Sequence, residues 1–257
     1  MRWSRHSCCV AAVVLSAGSA FAADTYIEES PNALFPADGT TFYMHNEVDD
    51  LRVGGTLGAT PTISEDIATS NGNVHYAWNG KRTTGGGPDL TYLKIIRPRD
   101  DSTFGLLLGV EGQYRYFNIT PESYTTTAGN APNVNNGIAL AFQEANLDVL
   151  IGIGTRALYT RYGEFDFEVM GFVGEGLTWA DTIVPGTLQV VRGTGSSWNA
   201  GPRLGVVWDN QRWNFGIHGD WVFSKGRTTI NLPGGLDDTM HSKSSAPAGT
   251  VEIGYRF

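Results

Sequence analysis

The sequence predicts an all-β chain, closed as an eight-stranded antiparallel up-and-down transmembrane β-barrel with long outer loops and short periplasmic turns. Three observations predict it. Period-two alternation of apolar and polar residues returns eight times along the chain, the connections alternate between long and short, and aromatic residues gather near the strand ends. The composition points the same way: 33 glycines and 11% aromatics with only four methionines suit strands rather than helices.

The chain opens with MRWSRHSCCVAAVVLSAGSAFAAD. Arg2 and Arg5 form a positive start, Cys8 to Ala17 is a short apolar stretch, and Ala20-Phe21-Ala22 matches a small-x-small cleavage pattern. Residues 1–22 are therefore expected to be a cleaved secretory signal peptide, the apolar stretch being too short to span a membrane as a helix. Both cysteines fall within it, so the mature chain carries no disulfide. Losing Arg2 and Arg5 from 18 basic residues leaves 16 against 26 acidic ones, a net charge of −10. An acidic, exported chain is a poor partner for nucleic acid, whose phosphates repel it.

Residues 23–47 show no strong period and are taken as an N-terminal extension; the barrel is expected over 48–257. The first strand, LRVGGTLGAT at 51–60, places Leu51, Val53, Leu57 and Ala59 opposite Arg52, Gly54, Thr56 and Gly58. A weaker strand follows at 90–97. Stronger ones cover 104–116, 145–154, 165–174, 198–208 and 213–223. VEIGYRF closes the chain with Val251, Ile253, Tyr255 and Phe257 on one face. Long polar connections at 61–89, 118–141, 181–197 and 224–245 alternate with the shorter turns RPRDDS, TRALYTRYGE and DNQR. Eight strands bring both chain ends to the short-turn side, and closure satisfies every backbone donor and acceptor internally, as lipid requires.

Alternation alone does not say which face points outward, because a soluble barrel shares it. The polar face is rich in glycine and carries charges of both signs: Arg52, Glu111, Arg115, Asp148, Asp166, Glu168, Arg203, His218, Asp220, Glu252 and Arg256. Such a face suits a narrow lumen in which small residues leave room for long, mutually paired side chains. Leu107, Leu150, Met170, Phe172, Val207 and Val222 share that inward phase. Aromatics fall into two belts: Trp208, Trp213, Tyr255 and Phe257 near the short turns, and Trp179, Trp198 and Trp221, with Tyr114, Tyr116, Phe142 and Phe223, toward the long loops. A bilayer selects belts of this kind.

At these residues the chain resembles the small eight-stranded outer-membrane barrels of the OmpA/OmpX kind. The resemblance implies an integral protein of the outer membrane of a two-membrane bacterium, surrounded by lipid and lipopolysaccharide. It also implies a C-terminal assembly signal read by the barrel-assembly machinery. Thr250, Tyr255 and Phe257 fit that signal, whereas its usual glycine position holds Glu252.

The resemblance leaves the job open, because one barrel hosts many functions. The expected role is structural or surface-interacting, through an extracellular ligand at the long loops. A small diffusion pore and an enzyme acting on lipid A, phospholipid or peptide are the alternatives. His218 and Asp220 share a face, as in the His/Asp pair of the omptin proteases, but that family has ten strands and a longer chain. No catalytic residue is therefore assigned and no enzyme is expected. Ser242 beside His241 has no orienting acid. The mature histidines His45, His75, His218 and His241 are scattered singly, so no metal is predicted. Gly85-Gly86-Gly87 lacks the lysine of a phosphate loop. No cofactor is expected.

Overall fold

The computed structural model describes residues 47–69, 72–78, 84–98, 102–119, 140–160, 163–183, 189–210, 212–232 and 236–257. The expected signal peptide, and all of the N-terminal extension but Glu47, lie outside them. The described residues form ten strands: β1 (Glu47–Ala59), β2 (Thr62–Thr69), β3 (Gly72–Trp78), β4 (Thr84–Ile96), β5 (Phe104–Ile119), β6 (Leu140–Thr160), β7 (Gly163–Ile183), β8 (Val190–Asn210), β9 (Trp213–Leu232) and β10 (Leu236–Arg256).

Eight of these close a ring. β1 pairs with β4, neighbours then follow in chain order to β10, and β10 pairs back onto β1 from Asp50↔Arg256 to Gly58↔Ala248, all antiparallel. The last residue helps to seal it: the Phe257 amide donates to the Asp49 carbonyl at 3.0 Å and the Asp49 amide donates back at 3.2 Å. The Tyr255 ring stacks on Phe257 and meets Trp213 edge-on.

β2 and β3 add no new stave near the membrane. β1 runs on across Thr60-Pro61 into β2, which pairs with the outer half of β10 from Thr62↔Lys243 to Ile67↔Asp238. Proline has no N–H to give to a ladder, so the strand breaks at Pro61 and resumes beyond it. From Gly58 to Thr62, β10 takes one residue more, Ala248 to Lys243, which is the count of a bulge. β3 pairs with β2 and leads back toward β4.

The strands are longer than their alternation suggests. β6, β7, β8 and β10 each have 21 residues. At ~3.3 Å per residue and a tilt of about 40°, such a strand rises roughly 50 Å, about twice an apolar band of ~25 Å. The segments taken as outer loops at 181–197 and 224–245 are thus largely strand: β8 starts at Val190, and β9 and β10 are separated only by residues 233–235. Most of the expected 118–141 loop lies outside the described residues.

The reason for the difference is a change of phase within single strands. The lower half of β9 turns Trp213, Phe215, Ile217, Trp221 and Phe223 outward, and its upper half turns Lys225, Arg227 and Thr229 outward with Ile230 buried inside. On β5, Leu106 and Leu108 face out below, whereas Phe117 and Ile119 face in above. The outer half therefore has a polar exterior and its own apolar core, in which Ile63, Phe117, Ile119, Phe142, Ala180, Ile230 and Met240 pack together. Phe142 belongs to that core and not to the outer aromatic belt, because it lies above the level where the phase changes. On the polar exterior, Arg192 donates to both Asp181 carboxylate oxygens, at 2.6 and 2.7 Å, and holds that carboxyl below its ordinary range.

Candidate functional site: the packed lumen

Inward positions on each strand recur every second residue, so the sequence itself decides what fills the interior. All eleven charged or titratable residues expected there are buried in the lumen. They form levels, linked from one to the next by shared carboxylates.

Nearest the short turns, three arginines face a carboxylate cluster. Arg256 lies against Asp209, with its other nitrogens 3.4 Å from Asp50 and 3.3 Å from Asp166. Arg156 approaches Glu164 at 3.3 Å, and Arg97 approaches Asp166 at 4.0 Å. Above this level lies Arg52, fully enclosed. It donates to Asp50 at 2.9 and 3.0 Å and to Glu168 at 2.7 and 2.9 Å. Asn214 Nδ2 donates to the other oxygen of Asp50 at 2.7 Å.

His218 sits between two acids. Its Nε2 lies 2.9 Å from Glu168 and its Nδ1 lies 3.1 Å from Glu252. Thr91 Oγ1 donates to the other Glu252 oxygen at 2.9 Å. The imidazole fits because Gly205 faces it from β8: a Cβ there would fall within the ring. A hydrogen-bonded pair between His218 and Asp220, which their shared face allows, is not formed. Asp220 accepts from Arg203 at 2.8 and 3.0 Å, and Arg203 also donates to both oxygens of Glu111 at 2.9 and 3.0 Å. The Arg203 guanidinium lies 5.8 Å from the Phe172 ring centroid.

Apolar and neutral side chains and one further ion pair fill the rest of the lumen. Leu93, Ile95, Leu107, Leu150, Met170, Phe172 and Val222 form one cluster. Asn199 donates to Asp148 at 2.9 Å, and the Thr178 and Thr228 hydroxyls meet at 2.7 Å. Arg115 pairs with Glu144 at 3.2 Å, below the outer apolar core.

Several lumen residues escaped the sequence reading. Asp50 and Asp89 lie in phase with recognised strands, one residue before their assigned starts. Glu144 likewise precedes its strand by one, Arg97 is the last residue of its strand, and Asp209 and Arg156 lie one and two residues past the ends of theirs. Extending each alternation by one or two residues finds them.

Outside, Trp208, Trp213, Tyr255 and Phe257 ring the short-turn end, and Trp179, Trp198 and Trp221 lie at the other side of the apolar girdle. Trp221 Nε1 donates to Ser245 at 3.3 Å, a contact suited to a water-facing edge. The exposed residues between the belts are almost entirely aliphatic or aromatic, including Val149, Ile151, Ile153, Val169, Leu204 and Ile217. Of the expected assembly signal, Tyr255 and Phe257 face outward, while Thr250 faces the lumen.

No family model matches the chain, and no curated protein matches it. Solved structures do. The outer membrane protein OprG of Pseudomonas aeruginosa is 12% identical, with 84% of this chain and 99% of that one covered at a TM-score of 0.39. The outer membrane protease OmpT of Escherichia coli is 10% identical, with 86% and 100% covered at 0.43. The attachment invasion locus protein Ail of Yersinia pestis is 10% identical, with 83% and 100% covered at 0.31. No functional conclusion follows from identities this low. The closed ring, its apolar girdle and its enclosed polar lumen are themselves those of an integral outer-membrane β-barrel, and that is what this chain is.

Proposed function

We propose that this barrel is a structural and surface-interaction protein, whose lumen serves stability and whose outer half meets the environment. The observation that carries this reading is the filling of the lumen. Two apolar clusters and the arginine–carboxylate pairs fill it between them, and the largest of the enclosed side chains are Arg52 and Arg203. An eight-stranded barrel is about wide enough to be filled by its own side chains.

The outer half supports the second part. It projects a polar wall beyond the apolar girdle and holds it up with an apolar core of its own, a rigid mount for the outer segments. Those segments would carry an extracellular ligand, lipid and lipopolysaccharide would surround the girdle, and the barrel-assembly machinery would read the C-terminal strand. His218 fits a structural role better than a catalytic one. It is 2% exposed and wedged between Glu168, Glu252 and Arg52.

The test is conductance of the refolded mature chain in a planar bilayer. No unit current is expected across the physiological voltage range. Steady single-channel openings would replace this reading with a pore. Purified protein cleaving peptide or lipid, with the activity lost in His218→Ala, would replace it with an enzyme.

A further inference from the structure

Two carboxylate triads lie in the lumen, and they differ in what neutralises them. Glu164, Asp166 and Asp209 gather near the short turns, their ligand atoms within 4.8 Å of one another. Arg97, Arg156 and Arg256 stand against them, so that triad is matched charge for charge.

The second triad is Asp89, Glu111 and Glu252, with ligand atoms again within 4.8 Å. All three are buried. The cations of this level are already engaged: Arg203 is shared by Asp220 and Glu111, and Arg52 by Asp50 and Glu168. Glu252 has His218 Nδ1 at 3.1 Å and Arg52 at 3.7 Å. Asp89 is left over. It is 3% exposed, and neither of its carboxylate oxygens has a hydrogen-bond partner. Burying a carboxylate without a partner is too costly to persist unless something compensates it.

The backbone makes room for the triad. Asp89 on β4 and Glu252 on β10 flank Gly54 of β1, which is in register with both. A Cβ at Gly54 would come within 2.8 Å of Glu252 Cγ and 3.0 Å of Asp89 Oδ1. Glycine is thus what lets the two carboxylates converge, and Glu111 approaches from neighbouring β5.

We propose that Asp89, Glu111 and Glu252 hold a hard divalent cation, of the calcium class, in the lumen. The donors are carboxylate oxygens alone, with no imidazole or thiolate among them, which suits calcium or magnesium rather than zinc or copper. Calcium tolerates irregular sites at 2.3–2.6 Å, so oxygens on opposite sides of one ion stand up to about 5 Å apart. Such an ion would supply the positive partner that Asp89 lacks and that Arg97, Arg156 and Arg256 supply to the first triad.

The experiment uses the mature chain refolded into detergent with calcium or with chelator, for the wild type, Asp89→Asn and, as a control on the outer wall, Asp181→Asn. Metal content after exhaustive desalting is expected to be about one calcium per wild-type chain and near zero for Asp89→Asn. In calcium at 100 times its dissociation constant, the folded-to-unfolded ratio should rise roughly 100-fold over chelator for the wild type and Asp181→Asn. Asp89→Asn should show no such rise. Wild-type protein that holds no calcium, or that unfolds identically in calcium and chelator, overturns the proposal whether or not Asp89→Asn folds. A wild type stabilised in chelator by mild acid as strongly as by calcium also overturns it, because the carboxylates then share protons instead.

Discussion

Replacing Arg52 by methionine tests whether the lumen is dry. The substitution keeps much of the volume but removes four hydrogen bonds, two to Asp50 and two to Glu168. Asp50 keeps Asn214 and a longer approach from Arg256; Glu168 keeps only His218, leaving its Oε1 bare. Removing one side of a buried ion pair typically costs about 3–5 kcal/mol, because the charge left behind has no water to turn to. Since each acid retains at least one partner, the lower end applies, about 3 kcal/mol or roughly a hundredfold in the folded-to-unfolded ratio. Urea unfolding of the refolded barrel, followed by tryptophan fluorescence and by mobility of unheated samples on gels, measures it. Adding Glu168→Gln to Arg52→Met removes the orphaned charge and should recover part of the loss. If Arg52→Met costs under about 1 kcal/mol, as for a solvated pair, and Glu168→Gln restores nothing, the lumen is wet and the packing argument fails.

Two further substitutions probe other levels. Phe117→Ala opens a cavity in the outer apolar core, worth about 3–5 kcal/mol to the residues around it. Amide exchange in β2 and at 238–243 should accelerate while the gel shift of the closed barrel persists; a uniform loss across all strands would show that the two halves melt as one. Gly205→Ala pushes a methyl into the His218 ring and should destabilise by about 1–3 kcal/mol. Unchanged urea unfolding would mean the imidazole has somewhere else to go.

The fold was legible where lipid dictates the pattern. Between the belts, lipid outside demands apolar residues at every second position, and segments such as 213–223 announce themselves. Above the belts that demand ends. Lys225, Arg227 and Thr229 continue the same strand with polar residues outside and Thr228 and Ile230 within, and a stretch that mixes both kinds on both faces looks like a loop. The lumen charges were legible as a set but not as pairs. His218 and Asp220 share a strand face, yet their partners come from β7, β8 and β10, reached across the lumen and from the neighbouring strands. Proximity along a strand says little about contact across a barrel.

The inversion of the apolar pattern along β9 also fixes how deep the barrel floats. Phe223 is the last outward aromatic on β9 and Lys225, two residues on, stands across from Trp198 of β8. That step is a waterline drawn into the sequence. Sinking the barrel would drag Lys225 and then Arg227 into hydrocarbon, at up to about 2–4 kcal/mol for each that reached the midplane. Raising it would strip lipid from Ile217 and Val251 and wet them. The molecule thus carries its own draught, and a bilayer of a different thickness must deform to meet it rather than the other way round.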